Sequence, residues 1–518
     1  MTKRAVALLV IFLACLIIAP TACRKRKDTA FVIALGDNIR TIDPIGSPSV
    51  DAASERLRSL IFNTLVKKDA KFDYVGELAS DIKRSDDGLV YTFTLRDGVK
   101  FHDGRPFSSA DAKYTLDLLF SSSFAKAASF FEGSGADKHS YIKSVAAPDQ
   151  HTIVITLTTP WVGLLSNLVP IPMLPKDSYE SQKDHPLGTG PFKFIHYDNT
   201  QQICDLQAFP DYWEGPTKLQ SLRVRSIAEP TALQAELQAG RVDIAPLPTS
   251  LSPDSVKQLE KDPNLQVRVF NGSNVVLLTL NTSSPPLDNV KVRQAIAYAI
   301  DRQSMIEKLL LNYGKIANSI IPEESWAYSP GQTYAYDPAM SKRLLAEAGF
   351  RGDKPIVYRL SSTSTAGKQY AGVIQNYLKE VGIPVEIQTA ELNTHLDELR
   401  RGNFQIGYGQ WVGGNQDPIF YKDLFATSEI PTQTRSARNR SRYSNPELDK
   451  LLDEAVNTYD RAKARDLYVK IQEIVSRDLP VFPLWYQSNI VIAKKNVGNI
   501  QVDASGDWGF VKNLTVTQ

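Results

Sequence analysis

Apolar and polar residues alternate in short bursts through residues 30 to 290. The stretch 91–98, YTFTLRDG, puts Tyr91, Phe93 and Leu95 on one face; 151–160, HTIVITLTTP, repeats the pattern until Pro160 ends it. Residues 221–227 and 275–281 read as further strands, and EPTALQAELQAG between them as a helix with Pro230 near its start and Gly240 as its stop.

From about residue 287 the period lengthens to that of helices. The run 290–310, VKVRQAIAYAIDRQSMIEKLL, is amphipathic at helical spacing throughout. DPAMSKRLLAEAGF opens on Asp337 as cap with Pro338 at the first helical position and stops at Gly349. NPELDKLLDEAVN repeats this with Asn445 and Pro446, and lines up Leu448, Leu451, Leu452 and Ala455 for burial. Strands at 355–361, 384–390 and 404–411 alternate with these helices, which predicts a mostly parallel sheet covered by helices. Ligands bind such sheets beyond the carboxyl ends of the strands. Trp411 stands at such an end, followed by two glycines, in IGYGQWVGGNQDPIFY. The closing run 489–502 returns to strand texture, so the chain is expected to come back to its first lobe, leaving two lobes with a hinged cleft between them.

A chain of 518 residues is too long for one core. At 42% apolar and 22% charged its composition is that of a folded protein. The N-terminus differs. Lys3 and Arg4 precede an apolar stretch, 5–19, too short to span a membrane, and Thr21-Ala22-Cys23 follows, which reads as an export signal. Cys23 after Thr-Ala resembles a bacterial lipobox, with Pro20 where leucine is usual, and the basic run 24–27 behind it suits anionic headgroups. Loss of the leader takes Lys3 and Arg4 from 59 basic residues, leaving 57 against 57 acids, so no electrostatic case exists for nucleic acid. Cys15 leaves with the leader and Cys23 is the candidate anchor. Cys204 alone remains, read as a buried strand thiol.

Six histidines, none spaced i, i+4, and no cysteine pair argue against a dedicated metal site. His102 and Asp103 adjoin, but Asp103-Gly104 and Arg105-Pro106 make a turn, with Ser108 and Asp111 as a capping pair. No nucleophile elbow, phosphate loop or dinucleotide fingerprint is found. The glycine-rich LGTGPFKF, 187–194, runs into Pro191 and a strand, and is read as a tight inter-lobe connection. No nucleophile, base and stabiliser can be assembled, so an enzyme is not expected, and no cofactor either.

YTFTLRDGVKFHDGRPFSSADAKYTLD, GTGPFKF, YWEG, LNTSSPPLDNVKVRQAIAYAIDR, LLAEAGF and LPVFPLWY occur in the order found in extracellular solute-binding proteins of family 5, which the chain resembles over nearly its whole mature length. These are the dipeptide- and oligopeptide-binding components of ABC transporters. The resemblance implies an α/β, two-lobed periplasmic-binding-protein-like fold of the cluster C type with an extra subdomain in the first lobe. The expected division is a leader at 1–23, a basic tether at 24–30, and lobe I at 31–57, 187–286 and 490–518. The extra subdomain takes 58–186 and lobe II 287–489. It implies an exported, periplasmic or cell-surface monomer, lipid-anchored to a bacterial membrane through Cys23, that delivers a peptide or other polar solute to permease subunits.

In this family the stretch equivalent to 37–44 and the strand end equivalent to 408–414 border the cleft, which makes Tyr408, Gln410, Trp411, Val412, Gly413 and Gly414 candidate ligand contacts. Peptide-binding members add the ligand to this strand as a further strand and hold its ammonium with an aspartate three residues beyond the tryptophan. Gly414 occupies that position here; Asp417, three residues on, either substitutes for the acid or caps the helix after Pro418. An oligosaccharide or other neutral solute stacking on Trp411, and a lipid-anchored sensor or adhesin using the same cleft, remain alternatives.

Overall fold

The computed structural model describes residues 30–47, 51–132, 138–411, 417–432 and 437–517. Among the described residues the alternating stretches form three large sheets, beside three two-stranded ones. A seven-stranded sheet runs in the order Phe192–Asp198, Ile203–Ala208, Ser221–Ser226, Phe31–Leu35, Ile244–Pro246, Asn489–Lys494, Leu265–Phe270. Its core holds Ile33, Phe192, Leu222, Val224, Ile244 and Val491 with Leu57 and Leu60 of the helix Ala52–Ile61. The late strand Asn489–Lys494 lies between two strands of the first half, so the chain does come back to its first lobe. Cys204 is fully buried in this sheet, and burial pushes its thiol up to about 12.

A four-stranded antiparallel sheet, Ala79–Arg84, Val90–Leu95, Thr152–Leu157 and Ile142–Asp149, forms a side body on the first lobe. Tyr91, Phe93 and Leu95 point together into its core, as the alternation predicts. His102 belongs to the joint of this body with the seven-stranded sheet. Asp103 Oδ1 accepts from the Arg105 N–H at 3.1 Å, and Asp111 Oδ2 accepts from the Ser108 N–H and hydroxyl at 2.9 and 2.8 Å. The turn reading holds. Gly188 and Gly190 pack on the backbone of Ile61, so the glycine-rich stretch joins two parts of the first lobe rather than the two lobes.

The second lobe is built on a six-stranded sheet in the order Gly314–Ile316, Val481–Gln487, Val275–Leu280, Ile406–Trp411, Ile356–Ser361, Val385–Ala390. Only the last three strands are mutually parallel; the other pairings are antiparallel. The sheet is therefore mixed, because strands 275–280 and 481–487, from outside the strand-helix repeat, complete it. Strand Val275–Leu280 thus pairs in the second sheet, although it precedes the division expected at 287. The run 290–310 is two helices, Val290–Ala299 and Arg302–Leu309, parted where Ile300 is extended and the Asp301 carboxylate accepts from Ser304 N–H.

The chain crosses between lobes twice, from Phe270 to Val275 and from Gln487 to Asn489. The crossings lie side by side. Gln487 N–H donates to Asn274 O at 2.8 Å, Asn489 Nδ2 donates to Asn271 O at 3.1 Å, and a Cβ on Gly272 would meet Gln487 O at 1.9 Å. Two adjacent extended segments with one glycine are a hinge in form. No helix of the described residues is long and apolar enough to cross a membrane.

Candidate functional site

Strand Ile406–Trp411 carries three of the expected ligand contacts, and its alternation decides where each points. Ile406 is buried in the lobe's core. Tyr408 follows on the same face, half-buried, its ring 6.5 Å from that of Tyr370, and burial pushes its phenol well above the usual range. Gln410 is exposed at the hinge, with Nε2 3.4 Å from Gln487 Oε1. On the opposite face Gly407 leaves no room for a side chain, since a Cβ would lie 2.9 Å from Leu399 Cδ2. Trp411 stands across from Val275 and meets Phe420 edge-on at 6.0 Å. It is half-buried against the second lobe's lower core, so one side of the indole serves packing and the remainder is accessible.

Val412, Gly413, Gly414 and Cys23 lie outside the described residues. Asp417 is 8% exposed; its Oδ1 accepts from Ile419 N–H at 2.8 Å and its carbonyl from Phe420 N–H at 3.1 Å. These bonds shape the turn ahead of helix Phe420–Phe425, but the N-cap of that helix is Ile419 and no side chain caps it, so Asp417 is a turn residue and not the expected cap. Burial pushes its carboxyl up, and Lys68 of the first lobe opposes that shift.

Lys68 marks charged groups that sequence reasoning missed. It faces Asp417 on one lobe and Asp507 on the other, and desolvation draws its ammonium down. Arg56, on helix Ala52–Ile61, is drawn down by desolvation and faces Asp37 and Asp507. The Asp507 carboxyl is pushed up by desolvation against the help of Ser505, Lys68 and Arg56. Asp507 is nonetheless exposed by surface area. Both observations hold for a group on the floor of a cleft, which water reaches but does not surround. Of these charges Asp37, within 37–44, and Asp417 are the ones the sequence points to; no local pattern marks Lys68, Arg56 or Asp507, whose neighbours are remote in sequence.

Two small cavities among the described residues are too small to hold a ligand. One of about 20 Å³, lined by Arg302, Ser319, Tyr334, Tyr421 and Gln472, lies inside the second lobe; another of about 10 Å³ lies beside Gly272 and Tyr486 at the hinge. Each has room for a water molecule at most. Among the described residues no three His, Cys, Asp or Glu side chains converge as metal ligands.

The family model for bacterial extracellular solute-binding proteins, family 5, matches residues 73–432. Heme-binding protein A of Haemophilus influenzae is 31% identical over 506 residues, covering 90% of this chain and 88% of the relative. The dipeptide-binding protein of Escherichia coli is 28% identical over 485 residues, covering 88% and 89%. Among solved structures, HbpA2 from Haemophilus parasuis superposes with a TM-score of 0.81 at 24% identity, covering 94% of this chain and all of that one. The periplasmic binding protein DppA from Helicobacter pylori, in complex with the peptide STSA, gives 0.69 at 28% identity, covering 94% and 98%.

Proposed function

Because the chain belongs to the bacterial extracellular solute-binding proteins of family 5, we propose that it captures short peptides between its lobes and hands them to an ABC-type permease. Relatives named for heme, dipeptide and glutathione binding keep the ligand class broad. The observation that carries the peptide reading is the mixed charge of the cleft. Arg56 and Lys68 stand with Asp37, Asp417 and Asp507 around one space, and a zwitterion has a partner for each end there. A neutral sugar would make no use of these charges, which favours a charged ligand over the oligosaccharide alternative.

We assign to Asp507 the part of the acid that Gly414 lacks: like Asp37 it is a water-accessible carboxylate of the first lobe, and it faces both Lys68 and Arg56. The end of strand Ile406–Trp411 offers main-chain groups to a ligand, a mode that tolerates varied side chains. Export and attachment through Cys23 complete the proposal, with the basic run 24–27 against lipid headgroups.

Native mass spectrometry of protein purified without denaturation, followed by calorimetry with di- to tetrapeptides, tests the reading. A ladder of peptide masses and saturable binding are expected. A bound carbohydrate mass, or no heat with any peptide in a random mixture, overturns it.

A further inference from the structure

A short hairpin, Val66–Lys68 with Tyr74–Gly76, projects from the side body of the first lobe and ends on the second. Its tip is preformed. Asp69 Oδ1 accepts from the N–H groups of Lys71 and Asp73 at 2.8 and 2.9 Å, and Asp69 O accepts from Phe72 N–H at 3.0 Å. On one side of Phe72, the Lys71 carbonyl accepts from Trp326 N–H of the second lobe at 3.2 Å. On the other side, Asp73 pairs with Arg461, whose guanidinium also lies 3.9 Å over the Trp326 ring. A second contact flanks the first: Arg84 of the side body stacks on Tyr459 of the second lobe at 3.6 Å.

Phe72 is the residue that needs explaining. It has a left-handed φ of 61° and is 2% exposed at the tip of a hairpin, where a side chain normally meets water. A non-glycine residue in that conformation persists where its surroundings hold it. Both neighbours of Phe72 are bonded to the second lobe, which puts its buried ring at the contact between the lobes.

We propose that the Val66–Gly76 hairpin is an inter-lobe latch, with Phe72 as its plug and Asp73–Arg461 as its lock, which holds the lobes closed without help from a ligand. The two covalent crossings permit rotation, and the latch sets how far the resting molecule rotates. Its working does not depend on which solute the cleft receives, so it stands apart from the peptide reading. A partly closed resting state makes opening a step that precedes ligand entry.

The test needs no ligand. Small-angle X-ray scattering of the full chain, stripped in guanidinium and refolded, reads the fraction of open molecules. Asp73→Arg and Arg461→Asp singly are expected to lower the closed-to-open ratio about tenfold, and the double reversal to restore it. Phe72→Gly separates a latch from an ordinary turn. Glycine suits the left-handed backbone, so a turn would tighten, whereas a latch loses its plug and the ratio falls at least about tenfold. Single reversals that scatter like wild type, a double reversal as open as the singles, or no opening with Phe72→Gly each overturn the proposal.

Discussion

His102 Nε2 lies 3.0 Å from the carbonyl oxygen of Gly190, while its Nδ1 accepts from the Gly188 N–H at 3.3 Å. Both ring nitrogens are thus used by one glycine-rich connection, and the ring is buried. Desolvation lowers its pKa to about 4, with the Gly190 carbonyl opposing the shift. The unfolded chain takes up its proton near pH 6.5 and the folded one near 4, so stability is full above 6.5 and falls as pH drops through that window. The loss amounts to about 3 kcal/mol. Urea unfolding at pH 7 and pH 4.5 checks this: His102→Gln should be less stable at pH 7 yet flatter towards acid. An unchanged acid slope in the variant would assign the effect elsewhere.

Gly190 makes the same joint sensitive to volume. A Cβ there would come 2.5 Å from the carbonyl carbon of Ile61, and backbone cannot step aside as a side chain can. Gly190→Ala should lower stability by about 1–3 kcal/mol, measured as a shift in denaturant midpoint at unchanged slope. Full stability in the variant would mean that the side body has slack against the first sheet.

Trp411 divides its surface between core and cleft. Trp411→Ala should lower the thermal midpoint of the second lobe, a loss of about 2–3 kcal/mol, and weaken peptide binding as well. Trp411→Phe should recover most of the stability through the Phe420 contact and less of the affinity. Affinity equal to wild type in both variants, by calorimetry, would make Trp411 a core residue only.

Asp507 should discriminate between ligands by their amino termini. Asp507→Asn is expected to weaken a free dipeptide at least tenfold, a conservative share of the roughly 2–5 kcal/mol for a broken buried charge pair. The N-acetylated form, which has no ammonium, should bind the variant and the wild type alike. Equal losses for both ligands would remove Asp507 from the amino-terminal site.

Much of the architecture is legible in hydropathy because it is local. Tyr91, Phe93 and Leu95 alternate in sequence and share one core; the caps at Asp337 and Asn445 act on their own helices. The break at Ile300 escapes that reading, since the apolar period runs on through Met305 and Ile306. What parts the helices is the Asp301 cap, beside an Arg302 guanidinium that is buried on the carbonyls of Ala317, Tyr334 and Pro483. The same holds at the site. The position of Trp411 follows from the strand pattern, and the turn at Asp417 from the proline after it. Lys68 facing Asp417, Asp507 facing Arg56 and Lys71 bonded to Trp326 join segments hundreds of residues apart, where no period reaches.

The place of strand Asn489–Lys494 also constrains when the first lobe can exist. It lies between Ile244–Pro246 and Leu265–Phe270, which have no ladder to each other without it. A ribosome that has made the first 480 residues has made every other strand of that sheet, and the edge strand Leu265–Phe270 still has no neighbour to pair with. Completion of the first lobe therefore waits for the last tenth of the chain, after the second lobe's own strands have all been made. For a polypeptide that must stay threadable until it has passed through a translocation pore, late closure is a built-in delay.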